Sequence, residues 1–359
     1  MKEQFNTNTR ARLRTLLAIG YALFIVYASL SPFVGWRELG LNFADVLRAP
    51  LRLTYTHFDA TANMLAYLPF GLLVGLALRR NFGLVTSLLA GCATGIVLSV
   101  CMEYLQMYLP TRISSNMDIL SNSVGAFFGA ILAISITSWT HLFSRMESWR
   151  SHVFHHGIEM DYGLALLAFW MFGQINPSLP MLGNVFIGEL ARQPFASLPV
   201  EPFDGWEAFA VALNLLMIGT LMLTLLRIPR KVISALLVVL SVVAAVKFFT
   251  AAALLKSWAL LLWINSEAVL GVLLGMVALF VMLRWSRNAI IKTGAAVTLS
   301  YLVIINFVFG NNSPAAAKSI YQWHYVHLLN YNGLAQTIAF IFPALLLLHL
   351  WRMRRLSFH

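Results

Sequence analysis

Charge is what this chain has least of. Asp, Glu, Lys and Arg make up only 11% of its 359 residues, roughly half the share of an ordinary soluble domain. A water-soluble core of this size would still carry charged faces on its helices, and these apolar segments lack them. Cysteine is nearly absent, with Cys92 and Cys101 the only two. They fall on one expected helix about 13 Å apart along its axis, too far to bond to each other. A disulfide scaffold is therefore excluded, and the cysteines carry no information about redox compartment. There is no glycine-rich phosphate loop, no serine or cysteine nucleophile in a recognisable setting and no nucleic-acid module. No spaced acid motif of a metal loop is present either. No metal or other cofactor is expected.

What the chain has instead is apolar length. Hydrophobic residues make up 59%, in recurring stretches of about 20 residues, the length that crosses the hydrocarbon core. The stretches are continuous and do not alternate apolar with polar, so helices are expected and not a barrel. Spans are placed near residues 13–34, 59–78, 83–108, 118–140, 161–178, 207–226, 232–250, 258–283, 293–310 and 333–351. The expected fold is an all-α, polytopic transmembrane bundle of about ten helices with both ends inside. The first span follows a basic stretch, but its apolar core is long and no clear cleavage site follows, so it reads as a retained helix.

The net charge of +11 fits that topology. With the N-terminus inside, Arg79, Arg80, Arg145, Arg150, Arg227, Arg230, Lys231, Arg284, Arg287 and Lys292 fall in inner connections. Lys2, Arg10, Arg12, Arg14, Arg352, Arg354 and Arg355 lie at the two ends. The outer loops hold Arg37, Arg48, Arg52, Arg112, Arg192 and Lys318. This positive-inside bias reports orientation and not a polyanionic partner.

Residues 1–140 read as a four-helix unit, 141–160 as a basic inner linker and 161–359 as a six-helix extension. The stretch about 174–206 carries Pro177, Pro180, Pro194, Pro199 and Pro202 and is expected to be irregular but stiff. The region 247–267 admits two readings. If the eighth span starts near Asn265, 249–263 becomes an interfacial or re-entrant segment, and Lys247 and Glu267 lie at one depth where pairing lowers their cost. That reading is preferred. A short echo links the openings of the second and fourth spans, Asp59-x-x-x-Asn63 and Asp118-x-x-x-Asn122, each followed by paired glycines. Parallel hairpin repeats would produce it.

Polar residues of the first unit gather at one depth. Asp59 and Asn63 lie one turn apart. Ser99, Glu103 and Gln106 share a face of the third span. Arg112 and Ser114 fill a short loop, and Asp118 and Asn122 open the fourth span. Either aspartate can be explained as an N-cap that satisfies free backbone donors. Glu103 resists that explanation, because it sits near a helix C-terminus inside an apolar segment. Arg112 could neutralise it through bidentate hydrogen bonds, so a structural ion-pair network and a binding site both stay open. Three carboxylates against one Arg would also suit a cationic group. Small-xxx-small patches at Gly71/Gly75, Gly91/Gly95 and Gly125/Gly129 point to close helix packing here.

From Asp59 to Gly129 the chain resembles the VanZ-like domain of bacterial membrane proteins. The matching elements are Asp59, Asn63, Pro69-Phe70-Gly71, Ser99, Glu103-Tyr104-Leu105-Gln106, Leu109-Pro110-Thr111-Arg112, Asp118, Asn122, Gly125 and Gly129. The resemblance covers roughly residues 15–140. It implies a role in the cell envelope, residence in the bacterial inner membrane, and Glu103, Gln106, Arg112, Asp118 and Asn122 as signature positions. Founding members are associated with low-level resistance to teicoplanin, a lipid-tailed glycopeptide antibiotic. The six-helix extension departs from the minimal domain, so that resistance does not carry over as a function.

Together these features lead to an expectation of a non-enzymatic envelope protein. Its outward-facing polar site would recognise membrane lipids or lipid-linked envelope precursors. A secondary transporter of a cation or polar solute, and a lipid-modifying enzyme using Glu103 and Asp118, are the rival readings. His152, His155 and His156 read as part of a membrane-surface segment more readily than as metal ligands. Trp36, Trp206, Trp258, Trp285, Trp323 and Trp351 read as interfacial anchors. Tyr321, Trp323, His324, Tyr325 and His327 offer a possible second wall of an outer pocket, although a helix-start turn explains the Asn-Gly that follows.

Overall fold

The computed structural model describes residues 2–31, 33–51, 57–79, 82–138, 140–155, 157–187, 202–309 and 327–356, with only the backbone described at 2–12, 57–59, 140–144, 146, 147 and 327–334. Among the described residues the fold is all-helical, with no strand beyond a single bridge between Phe154 and Leu226. Each expected span contains a helix. Among the described residues, eight helices are long and apolar enough to cross a membrane; the helices of the other two expected spans, Ile158–Gly173 and Ser266–Met282, are shorter. The chain divides into two compact units, residues 1–151 and 152–359.

The first unit contains α1 (Lys2–Leu30), α2 (Phe43–Arg48), α3 (His57–Leu78), α4 (Leu84–Gln106) and α5 (Asn116–Ser138), and most of α6 (Thr140–Val153). Helix α6 occupies the segment expected to be a linker. Glycine decides how closely α3 and α5 pack. A Cβ at Gly125 would strike the Met64 carbonyl, and one at Gly129 the Leu68 carbonyl, with the Leu72 nitrogen 2.7 Å away. From the other side, Gly71 lies against the Ala126 carbonyl, while Gly91 and Gly95 of α4 receive the methyls of Ala130 and Ala126. The three small-residue patches thus face one another. In lipid, where apolar surface gains little from leaving its surroundings, such contact is what holds helices together.

The second unit contains α7 (Ile158–Gly173), α8 (Gly205–Leu225), α9 (Val232–Leu254), α10 (Ser266–Met282), α11 (Arg287–Phe307) and α12 (His327–Leu356). Helix α8 is its axis: 18 of its 21 residues are buried, and it packs on all five other helices. Side-chain caps mark three helix starts. Asp204 accepts from Trp206 N, Asn265 from Ala268 N and Ser286 from Ala289 N, each meeting a backbone donor that the helix leaves unmatched.

Residues 174–187 are irregular, as their prolines require, but they lie folded into the unit and not over its surface. Leu179, Leu182, Phe186 and Ile187 are buried. A buried loop must find partners for its own backbone. Lys247 Nζ donates to the carbonyls of Gln174 and Asn176, Thr250 Oγ1 to that of Ile175, and Asn214 Nδ2 to that of Leu182. The expected pairing of Lys247 with Glu267 is therefore corrected. Helix α9 continues to Leu254 and carries Lys247, which has no exposed surface, against the end of α7. Glu267 is satisfied at the start of α10, accepting from Asp204 N and Ser266 Oγ. The eighth span does begin at Asn265, its N-cap, but only 255–265 is non-α, with one 3-10 turn at Ser257–Ala259 packed against Leu179 and Phe186.

Candidate functional site

Four helix ends meet at one pole of the first unit: α3 and α5 begin there, and α1 and α4 end there. Glu103, in the last turn of α4, is buried and accepts a hydrogen bond from Ser115 N at 2.8 Å. Ser115 Oγ in turn accepts from Met117 N at 3.2 Å. Ser115 therefore caps α5, and Asp118 stands inside its first turn, which corrects the N-cap reading of that aspartate. Asp59 likewise lies inside the first turn of α3, its side chain outside the described residues.

Two cross-helix bonds tie the remaining polar residues together. Asn63 Nδ2 of α3 donates to Asp118 Oδ1 of α5 at 2.8 Å. Asn122 Nδ2 donates to Ser99 Oγ of α4 at 3.0 Å, with both residues buried. The first of these bonds joins the two Asp-x-x-x-Asn segments directly, asparagine of one to aspartate of the other.

Arg112 and Gln106 face elsewhere. Arg112 Nη2 donates to the carbonyls of Ala28 and Ser31 at 2.9 and 3.0 Å, and Gln106 Nε2 to that of Ser29 at 3.0 Å. These belong to the last turn of α1 and the residue just after it, where helix geometry supplies no donors and the dipole welcomes a cation. The expectation that Arg112 clamps Glu103 through a bidentate pair gives way to this capping role. The two still feel each other: burial lowers the Arg112 pKa from its ordinary value, and the Glu103 carboxylate opposes the change. Replacing Arg112 with Met should lower thermal stability in detergent by about 1–3 kcal/mol, the scale of buried acceptors left unmatched. Arg112→Lys should recover part of it, and a melting curve unchanged by Arg112→Met would refute the capping role.

A residue not among the sequence candidates also reaches the cluster. Tyr67 is 4% exposed and follows Asn63 by four residues, as Asn63 follows Asp59, so all three share one face of α3. Its Oη nears Ser99, and Ser114 Oγ nears the Glu103 carboxylate, neither in hydrogen-bonding geometry. Tyr67 Oη, Ser114 Oγ and Asn122 Oδ1 are buried without a hydrogen-bond partner. Such atoms are few in a folded protein, and each calls for an explanation.

Other candidates resolve differently. His155 N donates to the Leu225 carbonyl, and desolvation together with neighbouring Arg287 and Arg227 lowers the His155 pKa below its usual value. Neighbours that repel a proton repel a metal cation too. No group of His, Cys, Asp and Glu suited to a metal occurs among the described residues. His156 and the stretch with Tyr321, Trp323, His324 and Tyr325 lie outside the described residues, as does the His327 side chain. Trp36, Trp206, Trp285 and Trp351 are exposed, as interfacial anchors must be.

Apolar helices long enough to span, buried polar side chains at one pole and exposed tryptophans define a multi-pass α-helical membrane protein. Residues 3–143, less than half of the chain, match the model of the VanZ/LLP1 family, so this part is similar to a VanZ-like domain. No curated protein and no solved structure matches the chain.

Proposed function

We propose that the VanZ-like unit of this envelope protein recognises the polar head of an amphiphilic ligand, such as a membrane lipid or a lipid-linked envelope precursor, without transforming it. The observation that carries this reading is the set of buried hydrogen-bonding atoms left over around Glu103: Tyr67 Oη, Ser114 Oγ and Asn122 Oδ1. Ser114 lies at the pole where α1, α3, α4 and α5 begin or end, and the set reaches inward from there to Asn122, about two turns into α5, and to Tyr67, near the middle of α3. Helices of 22 and 23 residues bring their ends to the level of lipid head groups. With the positive-inside orientation, that pole faces outward from the inner membrane. An acidic, hydroxyl- and amide-bearing site at this level suits a head group carrying hydroxyl or amino donors.

The test is native mass spectrometry of lipids and glycolipids that co-purify with the wild type and with Glu103→Gln and Asp118→Asn. A specific species lost in both variants, each still folded, is the expected result. Identical lipid profiles combined with lower melting temperatures would make the cluster purely structural. A transporter reading draws on the direct Asn63–Asp118 bond between the two echoed segments. Proteoliposome uptake driven by a proton gradient would favour it over binding alone.

A further inference from the structure

The second unit contains a cavity of its own, bordered by α7, α8, α11, α12 and the buried loop after α7. Its volume is about 50 Å³, room for about four waters or one small ring in their place. Its polar wall comprises Gln174, Asn184, Asn214, Tyr301, Gln336 and the indole of Trp170, with phenylalanines around them. No described residue lining it carries a formal charge.

The wall is built with care. Leu182 is held at φ 60° in the left-handed region, a conformation that costs a non-glycine residue energy and persists only where its surroundings impose it. Gln174 Oε1 accepts from its N–H at 3.1 Å and Asn214 Nδ2 donates to its carbonyl at 3.0 Å. Trp170 Nε1 donates to Asn214 Oδ1 at 2.9 Å. Glu207, 3% exposed, accepts from Asn184 N at 2.7 Å and Val185 N at 3.2 Å, while Tyr301 Oη donates to Asn184 Oδ1. After all this Asn184 Nδ2 remains buried without a partner. The Gln336 amide makes no hydrogen bond among the described residues.

We propose that this cavity is a second binding site, independent of the first unit, that takes one uncharged sugar ring. Amide donors with unused capacity match the acceptor oxygens of ring hydroxyls. Aromatic faces match the apolar C–H face of a pyranose, the usual division of labour between flat walls and a few placed polar groups. An ionic ligand would enter without a countercharge on the wall and lose its hydration for nothing. A purely apolar ligand would leave Asn184 Nδ2 buried and unmatched.

The test uses the full chain in phosphatidylcholine nanodiscs prepared without glycoside detergents. Glucose, galactose, mannose and N-acetylglucosamine are titrated while melting temperature is followed, with glucosamine and glucuronate as charged counterparts. At least one neutral sugar should raise the melting temperature saturably, and the charged counterparts should bind at least about tenfold more weakly. Gln336→Leu should weaken that sugar by about tenfold, the loss of one hydrogen bond, with the melting temperature of the sugar-free protein unchanged. Gln336→Met, of similar length and without the amide, gives the same reading if the leucine variant melts early. No response to any neutral sugar, equal response to charged ones, or undiminished binding in both variants would each overturn the proposal.

Discussion

Replacing Gly129 with leucine is expected to unfold the VanZ-like unit or bring it close to unfolding. The reason is the identity of the atoms in the way. A Cβ at Gly129 meets the Leu68 carbonyl and the Leu72 nitrogen of α3, and Gly125 and Gly71 stand in the same relation to Met64 and Ala126. These are backbone atoms, so no rotamer change relieves the clash and the two helices must separate. Overpacking that side chains can absorb costs about 1–3 kcal/mol; here the cost should exceed about 3 kcal/mol, about a hundredfold or more in the folded population. Separation would also break the Asn63–Asp118 bond, which spans the same pair of helices, so any co-purifying head group should be lost as well. Gly20→Ala is the control, since a Cβ there meets nothing within 4 Å and Ala favours a helix by about 0.5–1 kcal/mol over Gly. A Gly129→Leu protein that melts with the wild type would show that α3 and α5 are not in backbone contact.

The same α3–α5 pair shows which features a sequence can disclose. Span positions were legible because apolar length is local: the expected 59–78, 83–108 and 118–140 became 57–78, 84–106 and 116–138. The glycine patches and the Asn63, Ser99, Asp118 and Asn122 set were legible because helical spacing places residues on a face before any partner is known. Tyr67 follows that same spacing, yet an aromatic ring at such a position reads first as packing. Arg112 shows the limit more sharply. Sequence offers Glu103 as its natural partner, but α1 ends nearby with carbonyls that no helical donor can reach, and backbone carbonyls leave no mark on a sequence. The second unit was opaque for the same reason. Lys247 serves carbonyls more than 70 residues away, and Tyr301 reaches Asn184 across a separation of 117 residues.

Lys247→Met is expected to destabilise the second unit by about 2–4 kcal/mol, although it exchanges a buried cation for an apolar side chain of similar length. Two effects oppose each other. Removing the lysine relieves the desolvation of an ammonium, a cost of several kcal/mol. The ammonium recovers that cost in place through its bonds to Gln174 and Asn176 carbonyls, at the C-terminal, negative end of α7. Methionine recovers nothing and leaves both carbonyls inside the protein, each unmatched acceptor costing about 1–3 kcal/mol. The carbonyls cannot turn elsewhere. Thr250 holds Ile175 between them, and the Asn176 side chain accepts from Ser178 N and Oγ. The loop they anchor carries Leu182 and Asn184 to the cavity, so the loss should also expose 174–187 to proteases. Lys247→Gln, with two amide hydrogens, should fall between methionine and the wild type. Thermal melts of the three proteins in one detergent decide it. If the methionine variant melts at or above the wild type, desolvation outweighs the carbonyl bonds, and the lysine is kept for something other than stability.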